Sequence, residues 1–502
     1  MIVPQVKLFY EIFLLILFRL VFVVLFMTRR GNAEYTGSIP ALDTFSFGIN
    51  IILSYISDRM ELIQKLGKIS VELGGMTSVW MVNKLYIVVS DPVIAEVVLK
   101  SCLDKDDTTM KFIREIVGNG SIFAPVSIWR PRRKILAPIF SVKNLNCFVS
   151  IFEEQSEIII QQLEREAGNG DFSFWKYITT YTFDSICKTS LGVDLNSQQQ
   201  SDHPFLEAFE ITLHLMSERL SCPWLYLDCI YERLSRYKTF VVKRDLMFRF
   251  VDELIKKKRK ELSTRDDDKM KKPEIRTFLE MLIESSGGPQ GYTELELREE
   301  VLVIILAGTD TSAVGAAYTA VMLSKYPEVQ EKVYQELQEV FGDSDRPVSA
   351  HDLPRLKYLE AVIKETLRTY PAVPVVVREV LNDVELPNGT KLVNGIGILI
   401  NFCALHRNPA YWGEDADVFR PERFLEGPLK HPAQFMPFSY SLRNCVGSTY
   451  AMMSMKTVLS ALVRRYRLLP STLELRAKFR VMMKDAAGYS LRIEHRHRGS
   501  VA

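Results

Sequence analysis

The chain has 502 residues, 47% apolar and 11% aromatic, and its 63 basic and 61 acidic side chains leave a formal net charge of +2. The apolar share is ample for an extensive core, and without a dense basic and aromatic pattern nucleic acid is not expected as a partner. Seven scattered cysteines with no C-x-x-C pair, and no H-E-x-x-H among the histidines, speak against a disulfide framework and a zinc site and suit a reducing compartment.

Leu8 to Met27 reads LFYEIFLLILFRLVFVVLFM, apolar except for Glu11 and Arg19 and long enough to cross a bilayer core. No basic leader precedes it and no convincing cleavage site closes it. Residues 1–30 are therefore predicted to be an uncleaved membrane anchor and residues 31–502 one large folded unit. Arg29 and Arg30 after the anchor, against Lys7 before it, put that unit on the cytosolic side.

Residues 70–100 alternate apolar and polar around Gly74 and Gly75 and change to a helical period after Asp91-Pro92, which predicts strand, turn, strand, helix. In WRPRRKILAPIF, Trp129 to Phe140, Trp129 and Arg133 share a helical face. That is either a solvated basic turn or a site for a carboxylate-bearing ligand. Val149 to Lys258 is helical in pattern, and the charged run through Lys271, Lys272 and Pro273 reads as a solvated loop.

Thr293 and Glu296 form a capping box that opens the longest predicted helix, which runs to about Lys325 before Tyr326-Pro327 stops it. Val301 to Leu306 is apolar all round and so buried. The run Ala307 to Ser312, AGTDTS, follows at once and sets poor helix formers in a good helix. It reads either as a kink with a satisfied Asp310 or as a proton relay of an acid, Asp310, beside an alcohol, Thr311. Glu365 and Arg368 stand three apart on a later helix, a spacing more common on solvated faces, although Arg423 in FRPERF allows a three-membered cluster. Beyond Arg378, hairpins are predicted around Asn388-Gly389 and Asn394-Gly395.

Cys445 lies where an irregular loop meets an apolar helical run, Gly447 to Leu468. A free cysteine is commonly a small core hydrophobe. Here the positive end of the following helix and Arg443 favour its thiolate. Gly447 lets a flat ligand approach the backbone, and Phe438 offers an aromatic shield.

Phe438, Arg443, Cys445 and Gly447 match the haem-ligand signature F-x-x-G-x-R-x-C-x-G, and the chain resembles the cytochromes P450. AGTDTS matches the family's [AG]-G-x-[DE]-T-[TS], while Trp129/Arg133, Glu365/Arg368 and Arg423 match its W-x-x-x-R, E-x-x-R and P-E-R-F motifs. The wording is most similar to the microsomal, insect-type group related to fatty-acid hydroxylases, a family 4-like group. One position departs from the signature: Ser441 stands where the family has glycine, so the loop is expected to be strained or shifted.

The resemblance implies a mainly α fold with a smaller β-rich subdomain, holding haem b with Cys445 as axial iron ligand. Trp129, Arg133, Arg378 and Arg443 would hold the propionates, with Phe438 and Gly447 beside the ring. Asp310 and Thr311 would be catalytic, and Glu365, Arg368 and Arg423 structural. Ala307 replaces a glutamate that binds haem covalently in many relatives, so non-covalent haem is expected. The implied reaction inserts one oxygen atom from O2 into a lipophilic substrate in contact with Leu302 to Thr311 and Val373 to Val377, the segment before Trp129 and the surroundings of Gly488. Electrons would come from NADPH–cytochrome P450 reductase, with cytochrome b5 as a further donor, at the endoplasmic reticulum membrane. The rival readings are a haem-binding protein impaired by Ser441, a haem-thiolate isomerase or dehydratase, and a membrane-tethered scaffold.

Overall fold

The computed structural model describes residues 59–81, 84–200, 202–264, 277–286 and 292–496. The expected anchor and the loop around Lys271 lie outside the described residues.

Helices dominate the chain order. Arg59–Glu72 (α1) leads into strands Met76–Met81 (β1) and Lys84–Val89 (β2). Helices Pro92–Ser101 (α2), Asp107–Val117 (α3), Val126–Leu136 (α4) and Val142–Leu163 (α5) follow. Asp91 caps α2 by accepting from the Ile94 N–H, and Pro92 occupies the first turn, where its missing N–H is harmless. The short strand Phe172–Ser173 (β3) precedes Trp175–Ile186 (α6), Pro204–Ser221 (α7), Ser235–Ser263 (α8) and Phe278–Glu284 (α9).

Glu294–Lys325 (α10) is the spine. Its start is the expected capping box: the Thr293 hydroxyl accepts from Glu296 N–H (3.3 Å), and the Glu296 carboxylate accepts from Thr293 N–H (2.9 Å). It is apolar and long enough to cross a membrane, but 78% of its most apolar window is buried inside the protein, so it is a core helix. It packs against α6, α8, Lys357–Thr369 (α12) and Ser448–Arg465 (α13), with Pro327–Phe341 (α11) leading back towards α12.

The β-rich part is a sheet of order β1-β2-β7-β4, built with Val375–Glu379 (β4) and Gly397–Asn401 (β7). β2 and β7 run parallel and the outer pairs antiparallel, a register that sets Arg378 opposite Ile398. Val384–Glu385 (β5) and Lys391–Leu392 (β6) form a small hairpin. Tyr466–Pro470 (β8), Ala477–Arg480 (β9), Met482–Asp485 (β10) and Ser490–His495 (β11) supply the last strands, in sheets β3-β11-β8 and β9-β10. A large core lies among the helices and a second beneath the main sheet.

Three local expectations differ from the structure. Residues 70–72 end α1, and Gly74 and Gly75, at φ +86° and +96°, break helix from strand rather than turning between strands. Asn388-Gly389 turns the β5–β6 hairpin, whereas Asn394-Gly395 turns into β7, which pairs with β2 and β4 and not with β6. The apolar run after Gly447 ends as helix at Arg465, because its last residues pair as β8 with β11.

Candidate active site

The loop before α13 presents Cys445. Its backbone closes on itself: the Cys445 N–H donates to the Phe438 carbonyl (2.8 Å) and the Asn444 N–H to the Ser441 carbonyl (3.1 Å). Ser441 has φ +65°, in the left-handed region that glycine adopts freely, so the loop is strained at this position. The Cys445 side chain is accessible, yet it is surrounded closely enough that burial pushes its thiol up, with a Gly447 hydrogen bond and Arg133 pulling weakly the other way. Burial therefore works against the thiolate that the sequence led us to expect. A Cβ at Gly447 would meet only Cys445 Sγ at 3.8 Å and Phe140 at 3.9 Å, so nothing in the protein's own packing demands glycine there.

Above the loop lie two buried guanidiniums. Arg443 donates to the carbonyls of Leu103 (2.7 Å) and Ala124, and lies 5.0 Å over the ring of buried Trp129. Arg378, on β4, donates to its neighbour's carbonyl, Val377 O (3.2 Å). Each Nε is buried without a partner, and among the described residues neither guanidinium forms an ion pair. Burial first, and for Arg378 also the charge of Arg443, brings both down to about 10. Lys105 joins them: burial, Arg378 and Arg443 all push its ammonium well down, and it lies 4.8 Å over the Phe123 ring. No motif marked this lysine in the sequence. Asp104 only partly offsets the charge at Arg443 and forms no ion pair with it, and such buried positive charge fits an anionic ligand. Arg133 donates twice to Asn444 (both 2.8 Å) and so braces the cysteine loop.

Helix α10 packs against α13, the helix that follows Cys445. Between Val301 and Ser324, only Ala307, Gly308 and Thr311 are not buried, and their spacing puts them on one stripe. The Thr311 hydroxyl donates to the Ala307 carbonyl (2.7 Å). Asp310 points away from that stripe, to Lys484 on β10 (2.8 Å), with Oδ2 unpaired. Burial raises its carboxyl although Lys484 opposes the shift. The acid and the alcohol are thus neighbours in sequence that do not touch, and Lys484, 174 positions downstream, gave no local signal.

Glu365, Arg368 and Arg423 do converge. Glu365 and Arg368 are fully buried and paired through two bonds (2.7 and 2.8 Å), and Arg423 adds a third at 3.1 Å. The remaining Arg368 donors reach His406 O and Ala416 O, and the His406 Nε2 accepts from Met436 N–H (2.9 Å). The cluster therefore reaches the strand of chain that enters the cysteine loop. Burial pulls His406 down to about 3, so it is neutral and able to accept.

A cysteine in a recess, a glycine with free space and unpaired buried cations are what a flat, dianionic, metal-containing ring needs. The family model described as Cytochrome P450 matches residues 44–487. This chain belongs to the cytochrome P450 family. It is 34% identical over 382 residues to cytochrome P450 4V2 of Homo sapiens, an alignment covering 74% of this chain and 72% of that protein. Cytochrome P450 4d2 of Drosophila melanogaster is 30% identical over 489 residues, covering 93% and 95%. Cytochrome P450 4c21 of Blattella germanica is 30% identical over 449 residues, 88% of each chain. These family 4 relatives agree with the grouping expected from the motifs. The P450 is a haem-dependent monooxygenase, and the residues above fit the haem that the family carries.

Proposed function

We propose that this P450 hydroxylates a lipophilic substrate with Cys445 as the axial iron ligand and electrons from NADPH through NADPH–cytochrome P450 reductase, with cytochrome b5 as a further donor. The observations that carry the proposal are the accessible Cys445 sulfur, two residues from Arg443, and the unpartnered buried Nε atoms of Arg443 and its charged neighbour Arg378. Haem bound there supplies the iron at which dioxygen is activated.

The chain's own residues do the rest. Arg378, Arg443 and Lys105 bind the two carboxylates of the cofactor, and buried Trp129 backs Arg443. Phe438 and Gly447 line the ring, and Ala307 leaves it without a covalent ester. Thr311 holds a hydroxyl on the open stripe of α10, while Asp310 stands behind it, paired with Lys484. The apolar surroundings from Leu302 to Leu306 exclude water. Exposed Arg130 and Lys134 on α4 offer a basic face to an acidic redox partner. Residues 1–30 anchor the enzyme and residues 31–502 form its catalytic domain, on the cytosolic side of the endoplasmic reticulum.

The retained turn at Ser441 supports an active enzyme over a haem-binding protein without turnover. Purified full-length chain, mixed with reductase and NADPH, is tested against fatty acids, terpenoids, steroids and plant toxins. The expected result is NADPH oxidation coupled to a hydroxylated product; pigment without any NADPH-dependent turnover would favour the silent reading. Arg378→Leu should lower haem retention at least several-fold, measured as haem per chain after gel filtration.

A further inference from the structure

A second buried ionic cluster lies outside the catalytic apparatus. Glu300 on α10 and Arg132 on α4 have side chains 1% and 7% exposed and pair at 2.7 Å. Arg132 also donates to Asn119 O (2.6 Å) and to Glu296 (2.8 Å), one turn earlier on α10. Glu300 accepts the Ser121 N–H (2.9 Å) and the Ser121 hydroxyl. Two loop residues are thus tied to one helix by a shared ion pair.

The loop also packs closely on the helix. A Cβ at Gly120 would stand 2.3 Å from Val303 and 2.8 Å from the Glu299 carbonyl, so the loop backbone lies against the helix itself. At its far end the Ala124 carbonyl accepts from Arg443 and the Phe123 carbonyl from Arg114 (3.3 Å). The segment from Gly118 to Ala124 therefore spans from α10 to the guanidinium above the cysteine loop, with Ile122 and Phe123 half-buried between the two ties.

Glu300 also lies on a telling stripe. Positions 300, 304, 307, 308 and 311 follow one helical face, so the tie sits about 10 Å along the helix from Ala307, at 1.5 Å per residue. We propose that the Glu300–Arg132 clamp is a specificity-determining device: by pinning the Gly118–Ala124 loop to α10, it fixes the wall that limits how long a lipophilic chain can extend beside Ala307 and Thr311. This rests on the substrate side assigned under the proposed function. Glu300 and Arg132 are positioning residues, acting through Ile122 and Phe123.

The test uses the full chain with haem. Hydrogen exchange of the peptide covering Gly118–Ala124 and the affinities of 1-butyl-, 1-octyl- and 1-dodecylimidazole are measured in the unaltered protein and in Glu300→Gln. The clamp predicts at least tenfold faster exchange of that peptide, with exchange of the α10 interior unchanged. It also predicts at least a threefold change in the dodecyl-to-butyl affinity ratio. Should Glu300→Gln fail to fold, Glu300→Leu with Arg132→Met removes both buried charges together, leaving only solvent-exposed Glu296 without its arginine, and carries the same expectation. Unchanged exchange, or faster exchange with an unchanged affinity ratio, would overturn the proposal. A colourless unaltered protein would instead overturn the haem-thiolate reading, and exchange would still report on the clamp.

Discussion

Ser441 holds φ +65° in the loop that presents Cys445, a conformation that disfavours a side chain by about 1–2 kcal/mol. Ser441→Gly is expected to stabilise the protein by about 1 kcal/mol without lowering haem retention, read by denaturant unfolding and haem content. Asp310 and Lys484 form a buried pair, and breaking such a pair from one side costs about 3–5 kcal/mol. Lys484→Met should destabilise by about that much, and Lys484→Met with Asp310→Asn should recover most of it, as a double-mutant cycle would show. At this scale the sequence singled out candidates that stand close together in the chain: Phe438, Arg443, Cys445 and Gly447. It concealed Lys105 and Lys484, because a lone lysine has no spacing to read, and it gave no sign that Arg133 bonds Asn444 in a loop 311 positions away.

Among the elements, α10 was legible end to end because a capping box opens it and Tyr326-Pro327 closes it. The Asn394-Gly395 turn was not, since a turn dipeptide reports a reversal but not which strand the chain then pairs with. The Glu365 cluster joins α12 to the segment leading to the cysteine loop. Glu365→Gln leaves two buried guanidiniums short of their carboxylate and should destabilise by about 3–5 kcal/mol with loss of bound haem, followed by thermal melting and absorbance. On α5, burial lifts Glu153 from 4.5 to about 7, only partly offset by the Val348 N–H. Between those pH values the unfolded chain gives up the proton that the folded chain keeps, so this group's contribution falls as pH rises through that window and is constant above it. Glu153→Gln should stabilise by roughly 2 kcal/mol at about pH 8 and have almost no effect near pH 4, measured by urea unfolding at both values.

For the molecule as a whole, the helical core and the core beneath the β1-β2-β7-β4 sheet both reach the loop that carries the cysteine: Met436 belongs to the sheet-side core, and Phe438, two residues on, packs against the helical one. The site is where the two meet, and its chemistry depends on both being formed. The mainly α class and the small β part were readable from helical and alternating periods, whereas the crossing of β2 to β7, over 300 positions apart, left no local mark. The central claim is ligation of iron by the Cys445 sulfur, and the most direct measurement is the spectrum of the dithionite-reduced protein under carbon monoxide, for the unaltered chain and for Cys445→Ser. The account predicts the strongly red-shifted band of a thiolate-ligated haem in the first and its absence in the second; the same band in both would contradict it.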